Sequence, residues 1–351
     1  MSWLTWRQLR LQAATILGAL LVLAVGLAAT GPRLAQLSSA AAEDFLNQAT
    51  NDRADSWAYL VGVLAVLALP AIIGVFWGAP LVARELEAGT HHLAWNQGVT
   101  RTRWLVTKLG LIGLGAMVAT GALSLAVTWW CAPIDRAVAA GEGNGGLLTQ
   151  ARVTPVIFDA RGVVPIGYAA FAFALGVTAG ILVRRTVPAM AVTLGVFIAV
   201  QIAVPLLVRP HLVAPSRTDV AITESTLQGF RGSGPPGPGG HVDGLLVEFD
   251  RPGGWRLAAR TVDADGHDVR SLSSSLADCL PTSVEAPPSP AAATDPRQAC
   301  AAALAAGDYR QRFTYHPASH YWPLQGIETA MFFAVALGLA GLSCWRIRRL
   351  S

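Results

Sequence analysis

Lysine is almost missing from this 351-residue chain: of its 26 basic residues, 25 are arginine and one, Lys108, is lysine. A Walker loop, G-x-x-x-x-G-K-[ST], needs glycine directly before its lysine, and Lys108 follows Thr107 and precedes Leu109. The chain therefore has no standard phosphate loop with which to hydrolyse ATP. Charge of either sign is also scarce, 14% of residues against about 25% in a soluble domain. The net charge is only +4 and the arginines are scattered between apolar runs, which excludes a nucleic-acid-binding surface built on a basic tract. Histidine chemistry is no better provided. His91 and His92 are adjacent and would point about 100° apart on a helix, a poor chelate. His316 and His320 have i, i+4 spacing, but Pro317 stands where a zinc-protease helix carries glutamate. With no G-x-S-x-G elbow either, no catalytic, metal-binding or cofactor-binding residue is expected.

What the chain has is apolar length. Hydrophobic residues make up 53% of it, and six stretches run nearly or fully long enough to cross a hydrocarbon core of about 30 Å, which needs about 20 residues of helix. Their uncharged limits are Leu11 to Pro32, Ser56 to Ala83, Leu109 to Ile134, Gly162 to Val183, Thr186 to Val208 and Thr329 to Trp345. The first is too long for the apolar region of a signal peptide and reads as a span. Trp57, Trp77, Trp129, Trp130, Trp322 and Trp345 stand near span ends, where indole rings favour the interface. Pro70 predicts a kink in the second span.

Arginine and lysine orient these spans. With a cytoplasmic N-terminus, the inner segments hold eleven basic residues against two acids, Glu85 and Glu87, a balance of +9. The outer segments hold fifteen basic and twenty acidic residues, a balance of −5. Both termini are therefore expected in the cytoplasm, in a plasma-membrane protein.

The fold class expected is an all-α polytopic membrane protein with six transmembrane helices and a small mixed or β-containing extracytoplasmic domain between helices 5 and 6. Residues 1–208 hold an N-terminal interfacial helix and spans 1–5, residues 209–323 the outer domain, and residues 324–351 span 6 with a basic tail. Within the outer domain, residues 231–240, rich in Gly and Pro, read as an exposed linker rather than strand interior. Val242 to Phe249 is strand-like, and Trp255 to Val262 and His267 to Leu272 flank an Asp265-Gly266 hairpin turn. The aspartates there miss the glycine position of a calcium loop, so a turn is favoured. Cys279 and Cys300 both fall on the oxidising side and would close a loop of about 22 residues, a disulfide worth about 3 kcal/mol. Cys131 and Cys344 lie at opposite faces and should not pair.

The segment between spans 2 and 3, residues 84–108, concentrates the inner-side charge: Arg84, Glu85, Glu87, Arg101, Arg103 and Lys108. Gly89 closes a short helix ending near Ala88, Thr90 opens a second short element, and Thr100 is placed to cap the helix of span 3. Two readings stand here. The loop is either a charged hairpin whose Arg101, Arg103 and Lys108 anchor span 3 to anionic lipid, or a docking element for a cytoplasmic partner.

Three pieces carry a resemblance: Thr5-Trp6-Arg7-Gln8 before span 1, the Glu85 to Lys108 loop with Glu-x-Gly-Thr and Val-Thr-Arg-x-Arg-Trp, and Tyr315 to Glu328 entering span 6. In these and in its six-span plan the chain resembles the permease subunits of type-2 ABC transporters, particularly the six-span permeases of actinobacteria. His320 departs from the arginine expected there. The resemblance implies a permease that works as a homodimer or heterodimer, with the Glu85 to Trp104 loop inserting into a separately encoded ABC ATPase. ATP-driven closure of the ATPase would then tilt the spans and export an apolar or amphipathic compound. It also implies that spans 2 and 5 line the path, near Phe76, Trp77, Phe197 and Gln201. Two other classes stay open: a membrane-anchored extracytoplasmic binding or sensor module, and an immunity protein that uses an ATPase without translocation.

Overall fold

A computed structural model describes residues 2–40, 45–89, 100–142, 150–233, 241–249, 251–269 and 296–349. Two compact units emerge, residues 1–214 with 318–351, and residues 215–317.

The first unit is helical and contains six helices long and apolar enough to cross a membrane: Gly18–Ser38, Arg53–Glu87, Thr102–Ala139, Val164–Val183, Thr186–Leu212 and Ala318–Arg348, here spans 1 to 6. Span 1 belongs to one uninterrupted helix, Ser2–Ala40, so the expected interfacial helix is not set off from it. Span 2 changes winding three residues after Pro70, where Ile73–Gly78 forms a π-helical turn. Proline has no N–H to donate, and the ladder recovers with Ile73 N–H reaching both Leu69 and Pro70 carbonyls. A second π-helical turn, Val204–Val208, holds Pro205 near the end of span 5.

Span 4 is the hub, buried along most of its length against spans 2, 3 and 6. Its contact with span 2 is made at backbone distance. Gly176 and Gly180 of span 4 meet Gly74, Gly78 and Ala79 of span 2, the small-residue packing by which helices associate in lipid. Large apolar side chains elsewhere face outward, among them Val22, Val118, Val187, Leu206, Leu207 and Leu337. Such a surface suits hydrocarbon and is untenable in water. Of the tryptophans near span ends, Trp57, Trp129, Trp322 and Trp345 are exposed. Trp77 and Trp130 turn inward instead, Trp130 Nε1 donating to Thr30 Oγ1 at 2.9 Å and so tying span 3 to span 1.

The second unit carries two antiparallel sheets. Strands β1 (Ser216–Ala221), β5 (Arg310–His316) and β4 (Trp255–Val262) form one, in the order β1-β5-β4, while β2 (Leu227–Ser233) pairs with β3 (His241–Val247) in the other. The core of this unit gathers Ile222, Leu227, Leu245, Val247, Leu304 and Phe313, with Leu304 supplied by helix Pro296–Ala306. One sequence expectation needs correction. Arg231, Gly232 and Ser233 are strand rather than linker, because a register shift between Arg231 and Gly232 lets β2 absorb the glycine. Asp265-Gly266 sits in a hairpin turn as expected, Gly266 at φ +81, with Asp263 N–H bonded to the His267 carbonyl, Val269 N–H to the Thr261 carbonyl and an antiparallel bridge from Val262 to Asp268; residues 270–272 lie outside the described residues. The long partner of β4 is β5, about fifty residues away in sequence. Cys279 lies outside the described residues, as does the Cys300 side chain, and with them the expected disulfide; Cys131 and Cys344 are free thiols.

Candidate functional site

Charged side chains gather at the two ends of the span bundle, and each end holds spans together in its own way. At one end lies the segment between spans 2 and 3. Span 2 closes with Ala88 N–H bonded to the Arg84 carbonyl and Gly89 in the left-handed region at φ +66. Span 3 opens with Thr100 as its N-cap, Oγ1 accepting from Arg103 N–H at 3.3 Å. Thr90 to Val99, including the expected second short element, lie outside the described residues.

The feet of this segment are tied down. Lys108 Nζ donates to Glu85 Oε1 at 2.5 Å and sits 4.3 Å from the centre of the Trp104 ring. Only 6% of Lys108 is exposed, so it joins spans 2 and 3 instead of reaching for lipid headgroups. Glu87 Oε2 accepts from both the N–H and the hydroxyl of Thr186, at 3.0 and 2.8 Å. A carboxylate thus caps the first turn of span 5, where the helix dipole favours negative charge. Arg348, at the end of span 6, donates to Thr102 Oγ1 at 3.0 Å. Arg84 and Arg103 remain exposed, and the side chain of Arg101 lies outside the description. Glu85, Glu87 and Lys108 are therefore brought together with their neighbours as braces, each meeting a partner within the chain.

At the opposite end the charges range from an exposed pair to fully buried ones. Arg33 at the end of span 1 donates to Asp52 before span 2 at 2.5 Å, which holds the Asp52 carboxyl below its usual range. Arg161, on the segment leading to span 4, pairs with Asp135 of span 3 and reaches Tyr59 Oη of span 2 at 3.2 Å. Most enclosed is Arg209 of span 5, fully buried, with Glu328 of span 6 equally so. Arg209 Nε and Nη2 donate to the two Glu328 oxygens at 2.8 and 2.9 Å, and Nη2 also pairs with Asp159. Tyr168 Oη of span 4 stands between the two carboxylates. Beside this cluster Gln325 acts as a clasp: its Oε1 accepts from Val163 and Val164 N–H at 2.8 and 2.9 Å, and its Nε2 donates to the Phe158 and Arg161 carbonyls. All four backbone groups that it meets lie between Phe158 and Val164, in the segment where span 4 begins, so Gln325 fastens span 6 to that turn.

Sequence reasoning missed this second cluster, and the reason is instructive. The uncharged intervals end at Gly162, Val208 and Thr329, so Arg161, Arg209 and Glu328 served as boundary posts. No signal in the sequence singles them out, because every limit of the six uncharged intervals is bordered by a charged residue. As for the residues placed near a path, Phe76 is exposed, Trp77 is buried, and Phe197 is buried against Phe171 with ring centres 6.4 Å apart. Gln201 is half-buried.

Six apolar helices of this length, with polar side chains confined largely to the bundle ends, define a polytopic helical membrane protein. A family model described as ABC-2 membrane transporter related matches residues 16–209, more than half of the sequence. The chain belongs to that family, and with its six spans it is an ABC transporter permease of the ABC-2 kind. The match takes in spans 1 to 5 and stops at Arg209. No curated protein and no solved structure matches the chain.

Proposed function

We propose that this chain is the membrane-spanning subunit of an ATP-driven exporter, coupled to a separate ABC ATPase through residues 84–108, and that it works as a dimer of permeases with both termini in the cytoplasm. The observation that carries the reading is the bracing of that loop. Its two ends are fixed to spans 2, 3 and 5 by Lys108–Glu85 and by Glu87 on Thr186. A force applied to the loop is thereby delivered to three spans at once, which is what coupling to a moving ATPase requires. Ions held at one end also support the orientation. Arg84, Arg103, Arg184, Arg185, Arg346, Arg348 and Arg349 are all exposed at the loop end, whereas the other end has Arg33, Arg53 and Arg136 exposed and Arg161 and Arg209 buried. Exposed arginines suit an anionic inner leaflet or an acidic partner surface.

In this reading Arg84 and Arg103 face the ATPase, and Glu85, Glu87 and Lys108 transmit its motion. The substrate is apolar or amphipathic, in keeping with the uncharged middle of the spans. Co-expression with an ABC ATPase and affinity capture test this. Complex formation is expected, weakened by Arg84→Glu with Arg103→Glu. Glu85→Ala with Glu87→Ala is expected to keep the complex and lose ATP-dependent transport. Absence of any complex with the native chain would instead favour a membrane-anchored binding module in residues 215–317.

A further inference from the structure

The buried cluster at the end of spans 4, 5 and 6 poses a counting problem in hydrogens. Tyr168 Oη lies 2.8 Å from Asp159 Oδ1 and 2.6 Å from Glu328 Oε1, both hydrogen-bond distances. A phenol carries one hydrogen, and an ionised carboxylate carries none. With both acids ionised, one of those two contacts would press lone pair against lone pair in a site sealed from water. One added hydrogen resolves both contacts.

Charge leads to the same count. Around Asp159 the ionisable groups are Tyr168 from span 4, Arg209 from span 5 and Glu328 from span 6. Nearby, Arg161 is taken by Asp135 of span 3, a pair neutral in itself, and Arg152 lies over the Tyr321 ring of span 6. Two carboxylates against one guanidinium leave a buried excess of one negative charge, which an added proton cancels. Glu328 is the better anion, since both of its oxygens accept from the Arg209 fork.

We propose that Asp159, Tyr168, Arg209 and Glu328 form a proton-binding site that holds one proton on Asp159 while spans 4, 5 and 6 are packed and releases it to water when they part. The hydrogen-bonded chain then runs from the Asp159 acid to Tyr168 Oη, and from the Tyr168 hydroxyl to the Glu328 carboxylate. On release Asp159 becomes a carboxylate, the proton passes to water, and two like charges face each other across one arginine. Packing of three spans is thereby tied to the occupancy of a single acid. Burial, opposed by Arg209 and aided by Glu328, pushes the Asp159 carboxyl up to about 6.

Infrared spectroscopy of the purified full chain in detergent tests the site, by the carbonyl stretch of a protonated carboxylic acid recorded from about pH 5 to about pH 8. The wild type is expected to show one acid equivalent that resists exchange in deuterated water at the acid end and disappears as the pH rises. Asp159→Asn, a neutral isostere, should lose this band. Glu328→Gln should lose it too, because one carboxylate then faces one guanidinium. A titrating, exchange-protected acid band that survives Asp159→Asn would overturn the assignment. So would its absence from the wild type at the acid end, a result that decides the matter even if neither variant folds.

Discussion

Replacing Gly176 by alanine inserts one methyl group where spans 2 and 4 touch through their backbones. A Cβ at this position would lie 2.2 Å from the Gly74 carbonyl oxygen, 2.7 Å from the Ala79 nitrogen and 3.0 Å from the Gly78 carbonyl carbon. None of these is a side chain that can swing aside. Contacts of Cβ below 3.0 Å essentially do not occur, so the two central spans must part by 0.8 Å, the difference between 3.0 and 2.2 Å. Overpacking of this kind costs up to about 3 kcal/mol, and alanine returns about 1 kcal/mol of helix propensity, which leaves a loss of about 2 kcal/mol. Gly195 of span 5 is the internal control, because its added Cβ meets nothing within 4 Å. Gly195→Ala should be neutral or stabilising by about 0.5–1 kcal/mol. The assay is thermal unfolding of the two purified variants in the same detergent, read by size-exclusion recovery after heating. Equal recovery of Gly176→Ala and Gly195→Ala would refute the backbone-to-backbone packing of spans 2 and 4.

Other consequences follow from the same contacts. Arg209→Met leaves two buried carboxylates without their cation and should cost about 3–5 kcal/mol, with partial recovery at acid pH, measured by denaturation at two pH values. Because the Asp159 carboxyl is raised to about 6 in the folded chain, its stabilising contribution is complete below its unfolded value and is lost as the pH rises through about 6. Wild-type thermal stability should therefore fall across that window, and Asp159→Asn should flatten the profile. Glu85→Gln and Lys108→Met should each lower stability by about 1–3 kcal/mol, while the double variant costs less than their sum, as a double-mutant cycle in detergent will show. Gly89→Ala places a side chain at φ +66 and should destabilise the end of span 2 by about 1 kcal/mol, visible as faster proteolysis of the loop.

The six-span plan was legible because hydrocarbon imposes a long, one-letter pattern of apolar residues that no soluble fold repeats. The caps were legible too: Gly89 and Thr100 are read from local chemistry that needs no tertiary partner. Pairings across the bundle were not. Glu85 meets Lys108 and Glu87 meets Thr186 only because spans 2, 3 and 5 end at the same level, a fact of packing rather than sequence. Likewise Arg209 faces Glu328, 119 positions away, and the π-helical turn Val204–Val208 immediately before it belongs to the geometry that sets its facing. In the second unit the turn at Asp265-Gly266 was legible from local chemistry, whereas the pairing of β4 with Arg310–His316, about fifty residues away, was not. Propensity chose the strand, and the tertiary contact chose its partner.

The coupling of residues 84–108 to an ATPase is tested most directly by site-specific cross-linking at the middle of the loop. A chain whose four native cysteines are replaced, carrying Trp95→Cys as its single thiol, is co-expressed with an ABC ATPase and treated with a short thiol-to-amine cross-linker in inverted membrane vesicles. The account predicts an adduct between the two proteins, at a yield that changes when ATP is added. A thiol that gives no adduct, and that reacts with an impermeant reagent only from the opposite face of the membrane, would contradict both the coupling and the orientation.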